Sequence, residues 1–195
     1  MNGVSKLPYI ILASASPRRK ELLAACGVEY TVQISDVDEA VIEGESPEDM
    51  VRRLSLLKAQ SVATSFMHNL VLGADTTVVV DGEIFGKPIN RADAKRMLTI
   101  LQGRKHTVVG GIALICRDQN FEHVEVHSTE VEMVSLSEEQ IDQYIHTGEP
   151  MDKAGSYAIQ GIGSSIVKSV NGSYTNVVGL NVAAVVAMLQ KFQSR

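Results

Sequence analysis

The fold is decided by Tyr9-Ile10-Ile11-Leu12-Ala13-Ser14-Ala15-Ser16-Pro17-Arg18-Arg19. Residues 9–13 are apolar and partly β-branched, the pattern of a short buried strand. Pro17 suits the first turn of a helix, where the amide it lacks would be unpaired anyway. A helix therefore opens directly at the carboxyl end of the strand. Its free first-turn amides, the positive end of its dipole and the Ser14 and Ser16 hydroxyls point where an anion would sit. Arg18 and Arg19 add planar, permanently charged donors. Taken alone, a Ser-Pro-Arg run more often marks a capped helix with its arginines in solvent, so the remainder of the chain has to decide.

With 195 residues, 45% of them hydrophobic and 21% charged, the chain has the composition of one globular domain with a sizeable core, with room for two lobes. A formal charge of -5 argues against a nucleic-acid coat, which carries a basic face to neutralise many phosphates. A phosphate bound here would belong to a small molecule. Residues 1–8 hold one lysine and no long apolar region, and the longest apolar run, 182–189, is too short to span a bilayer. Neither export nor a membrane is expected. Cys26 and Cys116 lack the spacing of a zinc site or a disulfide framework, and a reducing cytoplasm is the expected setting.

The first helix is expected over residues 17–26, with Leu22, Leu23 and Cys26 inward and Gly27 closing it. Residues 30–34 alternate like a half-buried strand, and Asp36, Asp38 and Glu39 follow. Such a cluster suits a solvated loop or, just past a strand end, one wall of a metal site. A helix over 47–65 places Val51, Leu54, Leu57 and Val62 in phase and carries Lys58. Residues 71–80 are β-rich, and Asp81-Gly82 then signals a tight hairpin turn. Asp75 falls inside that run, where a carboxylate is costly unless paired, hydrogen-bonded or bound to a cation. Lys87, at the far end of the hairpin, fits a charged edge position.

Asn90 can cap a helix over 91–101, and a strand over 106–116 contains Gly110-Gly111, which marks a bulge or a close backbone approach. A further strand covers 125–134, and Ser137 with Gln140 forms a capping box. Residues 148–163 make a glycine-punctuated loop holding Lys153 and the amide of Gln160. A short strand over 166–170 precedes a last helix, 181–192, apolar almost all round and so expected to be buried against the sheet or a partner subunit. His106, His123 and His127 lack metal-ligand spacing and suit structural or surface places. Arginines with helix amides suit phosphates, clustered acids suit a divalent cation and a loop amide suits a base, which together describe metal-assisted phosphate chemistry.

Ser14-Ala15-Ser16-Pro17-Arg18-Arg19, Asp38-Glu39, Lys58-Ala59, Gly73-Ala74-Asp75-Thr76, Gly86-Lys87-Pro88, Gly148-Glu149-Pro150, Asp152-Lys153-Ala154-Gly155, Ile159-Gln160-Gly161 and Val178-Gly179-Leu180 resemble, in that order, the motifs of Maf-like nucleoside triphosphate pyrophosphatases. The resemblance covers nearly the whole chain. It implies a single domain over 1–195 with an α/β fold, an elongated mixed β-sheet flanked by helices around a central cleft, of the Maf and inosine triphosphatase type. It further implies a cytoplasmic, commonly dimeric hydrolase that splits a nucleoside triphosphate into the monophosphate and pyrophosphate with a divalent metal, magnesium or manganese. Position by position, Asp75 resembles the family's proton acceptor, acting directly or through a water held by the cation. Glu39 and Asp75 would hold the metal, and Ser14, Arg19, Lys58 and Lys87 would grip the triphosphate. Ser16, Arg18, Thr76, Lys153 and Gln160 complete the implied substrate-binding set.

Members similar to the 7-methylguanosine triphosphate enzymes carry tryptophan at the position of Arg18, glutamine at Thr76, cysteine at Lys153 and glutamate at Gln160. A glutamine can donate and accept together, matching the carbonyl and N3-H edge of uracil or thymine. The chain therefore resembles the branch acting on dTTP and UTP, with modified pyrimidine nucleotides in range. Asn181 stands where the family often has proline, and it can cap the last helix. Against turnover stands a non-catalytic nucleotide-binding regulator of septation or cell division, which would have little use for a carboxylate at Asp75. An ordinary doubly wound binding domain lacks support, because the glycine fingerprint after its first strand is missing.

Overall fold

The computed structural model describes residues 6–195, so the reading of residues 1–8 as leaderless falls mostly outside the described residues. In chain order the elements are β1 (Ile10–Leu12), α1 (Pro17–Ala25), β2 (Tyr30–Val32), α2 (Pro47–Ala63), β3 (Leu70–Val80), β4 (Glu83–Phe85), α3 (Arg91–Leu101), β5 (Lys105–Cys116), β6 (Phe121–Met133), α4 (Glu138–His146), β7 (Val167–Asn171), α5 (Tyr174–Val178) and α6 (Val182–Gln193). The strands form one sheet in the order β2-β1-β3-β5-β6-β7, with β4 paired to β3. β1 runs parallel to both β2 and β3, while β3–β4 and β6–β7 are antiparallel. The sheet is thus mixed and flanked by helices, as expected. Among the described residues no helix is long and apolar enough to cross a membrane.

The chain divides into two compact units. The first comprises the residues up to Asp75 with Gly111–Val126 and Gly179–Arg195. Successive side chains of a strand face opposite ways, so β1 serves two cores. Ile10 and Leu12 pack with Leu23 of α1 and Val185, Met188 and Leu189 of α6, whereas Ile11 and Ala13 pack with Ala59, Val62 and Ala63 of α2. Helices on both faces explain why β1 and the start of β3 are continuously apolar. α2 lies close against the strands at two glycines. A Cβ on Gly73 would collide with the Ser55 carbonyl oxygen, and one on Gly111 with that of Val51. The close approach expected of the glycine pair is therefore real.

Three expectations in this unit need correction. The strand expected over 30–34 ends at Val32, and Ile34 is 63% exposed, because β2 is an edge strand with only β1 beside it. Leu57 is exposed, since at about 100° per residue it lies roughly 120° round α2 from Val51. α6, although apolar almost all round, buries only the face holding Ala184, Val185, Met188 and Leu189. Apolar composition permits burial, but a helix laid on a sheet has only one side against it. Asn181 caps α6 as expected, accepting from the Ala184 amide.

The second unit comprises Thr76–Gly110 and His127–Val178. Val78, Val80 and Phe85 pack with Ala94, Met97, Leu98 and Leu101 of α3 and with Ile141, Tyr144 and Ile145 of α4. Asp81 (φ 51) and Gly82 (φ 80) are both left-handed, as a tight two-residue hairpin turn demands. Asn90 caps α3, and the Ser137–Gln140 capping box opens α4. Gly110 lies against the Asn176 amide, whose Nδ2 donates to the Val108 and His127 carbonyls and to Thr129 Oγ1. The expected loop over 148–163 is instead built from three short 3-10 helices, Glu149–Asp152, Ala154–Ser156 and Gly161–Ile166. Left-handed glycines stand before the first of them (Gly148), inside the second (Gly155) and at the start of the third (Gly161), separating the turns from one another.

Candidate active site

Just past the carboxyl end of β1 lies Ser14, which is buried. Its Oγ accepts from the Ser16 amide at 3.3 Å and from Arg19 Nη1 at 3.0 Å. Arg19 Nε donates to the Gly179 carbonyl at 2.9 Å, so the guanidinium is fixed from two sides. Ser16 occupies the N-cap position of α1, yet its side chain makes no capping bond. Its role is not that of a simple helix cap. Burial, the largest influence, pulls the Arg19 pKa down; the Asp75 and Glu39 carboxylates oppose this, and the charge of Arg18 reinforces it. Asp75, Glu39 and Arg18 are thus all near enough to act on the Arg19 guanidinium.

Asp75 enters from β3 and Lys58 from α2. Both are buried, at 8% and 6% exposure, and Lys58 Nζ lies 2.7 Å from Asp75 Oδ1. The pairing has a steric origin. Gly73 faces the same side of β3 as Asp75, and its missing side chain lets α2 settle between Ser55 and Ala59, which brings Lys58 to the acid. The same ammonium lies 2.9 Å from Oε2 of Glu39, whose side chain is 58% exposed. Asp36 and Asp38 remain exposed on the loop, so of three clustered acids only Glu39 reaches the lysine.

That loop is secured by Arg53, which the sequence did not single out. Its Nε and Nη2 donate to the two Glu45 carboxylate oxygens at 2.6 Å each, and Nη2 also donates to the Ala40 carbonyl at 3.1 Å. The hydrogen bonds to Glu45 raise the Arg53 pKa. In sequence, Arg53 cannot be told from an ordinary surface charge on α2.

A divalent cation can be tested against this donor set. Among the described residues no three His, Cys, Asp or Glu side chains gather as a ligand cluster. Glu39 and Asp75 nevertheless aim carboxylate oxygens at a single positive centre, the Lys58 ammonium. Two hard oxygen donors, with phosphate oxygens and water making up the remainder, are the usual protein share of a magnesium site. The residues fit such an ion.

The other sequence candidates lie elsewhere. Thr76 follows Asp75 on a strand and so turns to the opposite face. Lys87 is exposed in the second unit, where the Gly155 amide donates to the Gly86 carbonyl at 3.1 Å and draws its segment alongside residues 152–155. Lys153 Nζ donates to the Glu149 carbonyl at 2.7 Å and to Asp152 Oδ1 at 2.6 Å. Gln160 is exposed on the extended residue before the last 3-10 helix. Ser14, Arg19, Glu39, Lys58 and Asp75 thus form one cluster inside the first unit, while Thr76, Lys87, Lys153 and Gln160 belong to the second.

With this geometry in place, comparison with known proteins is informative. A family model described as Maf-like protein matches residues 9–192. The chain is 49% identical over 186 residues to a dTTP/UTP pyrophosphatase of Symbiobacterium thermophilum, covering 95% of each. It is 47% identical over 183 residues to a dTTP/UTP pyrophosphatase of Bacillus anthracis, covering 94% of this chain and 95% of the relative. The solved structure of the Staphylococcus aureus Ham1 protein shares the fold at a TM-score of 0.52 and 17% identity, covering 96% of this chain and 98% of its own.

Proposed function

The chain belongs to the Maf family, and from that premise we propose that it is a nucleoside triphosphate pyrophosphatase hydrolysing dTTP and UTP, with modified pyrimidine nucleotides in range. The single observation that carries the proposal is the buried Asp75, paired at 2.7 Å with Lys58 and neighboured by Glu39 and Arg19. A structural ion pair needs one lysine and one acid. The surplus of both charges, gathered just beyond the parallel pairing of β1 with residues 70–72 of β3, is suited to handling a polyanion and a nucleophile together.

In the proposed reaction, Asp75 accepts a proton from water as that water attacks the α-phosphorus. The bond from that phosphorus to the oxygen bridging it to the β-phosphorus breaks, and pyrophosphate leaves. Arg19, held by Ser14 and the Gly179 carbonyl, neutralises phosphate oxygens, as do Lys87 and the amides at the start of α1 beside Ser16 and Arg18. Lys58 has a double task. It neutralises Asp75 in the resting protein, and by trading that carboxylate for phosphate oxygens it frees Asp75 Oδ1 to take the proton. Glu39 and Asp75 would hold magnesium or manganese, which when bound supplies positive charge against the phosphates and makes water more acidic. Gln160 reads the pyrimidine edge through its paired donor and acceptor, with Thr76 and Lys153 completing the substrate contacts.

Both units together are proposed to make one functional domain, working in the cytoplasm as a homodimer. The test is incubation of the protein with each nucleoside triphosphate and magnesium chloride, scoring pyrophosphate and monophosphate. Pyrophosphate should appear fastest from UTP and dTTP. Tight UTP binding without pyrophosphate would favour the non-catalytic regulator of septation or cell division instead.

A further inference from the structure

Two side chains outside the proposed reaction, Tyr144 and Glu149, grip the backbone on both sides of Gln160. Tyr144 comes from α4 and is anchored in the core of the second unit. Its hydroxyl accepts from the Ala158 amide at 3.0 Å and donates to Glu149 Oε1 at 2.8 Å. Glu149 Oε1 also accepts from the Gly163 amide at 2.8 Å, and Oε2 accepts from the Ile162 amide at 3.0 Å. The amide two residues before Gln160 and the amides two and three residues after it therefore end on one phenol–carboxylate pair. The Glu149 carbonyl meanwhile accepts from Lys153 Nζ at 2.7 Å.

The glycines between these points are what the grip requires. Gly161 has φ +64, and a Cβ there would sit 2.5 Å from Glu149 Oε2; a Cβ on Gly163 would sit 2.5 Å from the Tyr144 hydroxyl. Burial, the largest influence on the Glu149 carboxyl, tends to raise its pKa. The Gly163 amide, the Tyr144 hydroxyl, the Ile162 amide and the Lys153 charge together outweigh burial and hold it below the usual range. The carboxylate is thus kept ionised where its hydrogen bonds are strongest. The Ala158 amide lies among buried residues and needs an acceptor in any case, whereas the exposed Ile162 amide could be left to water. Tying both to one phenol–carboxylate pair holds the intervening Gln160 in one orientation.

We propose that Tyr144 and Glu149 are positioning residues that set base selectivity by fixing the backbone on either side of Gln160; this rests on the reading of Gln160 as the base-contacting residue. Two variants test it, Glu149→Gln, which replaces one acceptor oxygen with a donor, and Tyr144→Phe, which keeps the ring and so the packing. Amide hydrogen exchange should accelerate at Ile162 and Gly163 in the first and at Ala158 in the second. The ratio of kcat/KM for UTP over GTP should fall about tenfold in Glu149→Gln and by less in Tyr144→Phe, with the loss for UTP falling on KM more than on kcat. If Glu149→Gln fails to fold, Tyr144→Phe carries the test. A lower melting temperature with an unchanged UTP:GTP ratio in the folded variants would overturn the proposal. Gln160→Ala separates the two layers. If it collapses the ratio and the clamp variants do not, the clamp is wrong; if it leaves the ratio intact, the base reading of Gln160 fails and the clamp proposal falls with it.

Discussion

Ser14, Arg19, Glu39, Lys58 and Asp75 meet from separate strands, helices and a loop, whereas everything that grips the backbone around Gln160 comes from residues 144 to 163. The first arrangement gathers full charges, two of them buried, and the second gathers mostly neutral amides around one carboxylate. Buried charges repel or attract over several ångströms and lose much solvation, so they need rigid elements fixed from far along the chain. Neutral amides need only a local acceptor. The contrast points to a division, within the proposed reaction, between the proton acceptor and metal-holding acids of the parallel-stranded unit and the base contact of one short segment in the second.

The strongest way to break that division is Asp75→Asn. Turnover of UTP should fall by about 10²–10⁴-fold, the usual worth of a positioned base, while UTP binding measured by calorimetry survives. Undiminished hydrolysis would remove Asp75 from the mechanism. Lys58→Met should cost about 3–5 kcal/mol of stability at neutral pH, because the Asp75 carboxylate would stay buried with its direct partner gone. Urea unfolding checks this. A loss below about 1 kcal/mol would mean that the pair behaves like a surface one.

The second unit offers a pH handle of its own. His106 is 4% exposed, its Nε2 lies 2.7 Å from the Tyr157 hydroxyl, and its Nδ1 has no partner. Burial, helped by the charge of Arg104, lowers its pKa from 6.5 to about 4. The folded state thus resists protonation that the unfolded chain accepts. Stability from this residue is full above pH 6.5 and declines as pH falls towards 4, by about 2 kcal/mol between pH 7 and pH 5. The urea midpoint of His106→Phe should be less pH-dependent across that interval than that of the parent; parallel curves would refute the assignment. The smallest effect is expected of Gln160→Glu. UTP and dTTP turnover should fall about tenfold relative to guanine nucleotides, as one hydrogen-bond donor is exchanged for an acceptor. An unchanged preference would undo the base reading and leave the contrast between the two regions without its second half.

Much of the frame was legible in the chain because local rules govern it. Pro17 opened α1, Asn90, Ser137 and Asn181 capped helices, and Asp81-Gly82 turned the hairpin, each through contacts within a few residues. Asp75 stood out because a carboxylate in an apolar strand demands a partner. That the partner is Lys58 was not legible, since it depends on α2 settling on Gly73 and Gly111. Leu57, Ile34 and the outer face of α6 were misjudged for a related reason: apolar pattern states what a side chain prefers, and neighbouring elements state what it receives. Arg53, Tyr144 and Glu149 went unnoticed because an arginine, a tyrosine and a glutamate carry no local sign of the distant carbonyls and amides they serve.

The sequence by itself determined the order of the longer strands and helices, though not the short helix Tyr174–Val178, together with their caps and turns, the family, and which side chains carry charge capable of phosphate chemistry. Those properties follow from dihedral preferences, short-range hydrogen bonds and residue identity, all of which travel with the chain. Only the tertiary structure decided that Lys58 stands between Asp75 and Glu39, that Ser14 and Gly179 aim Arg19, and that Tyr144 and Glu149 hold the two sides of Gln160. Each of those placements depends on backbone surfaces approaching at glycines or on side chains reaching groups beyond their own element, and close packing fixes such distances only once the whole unit has folded.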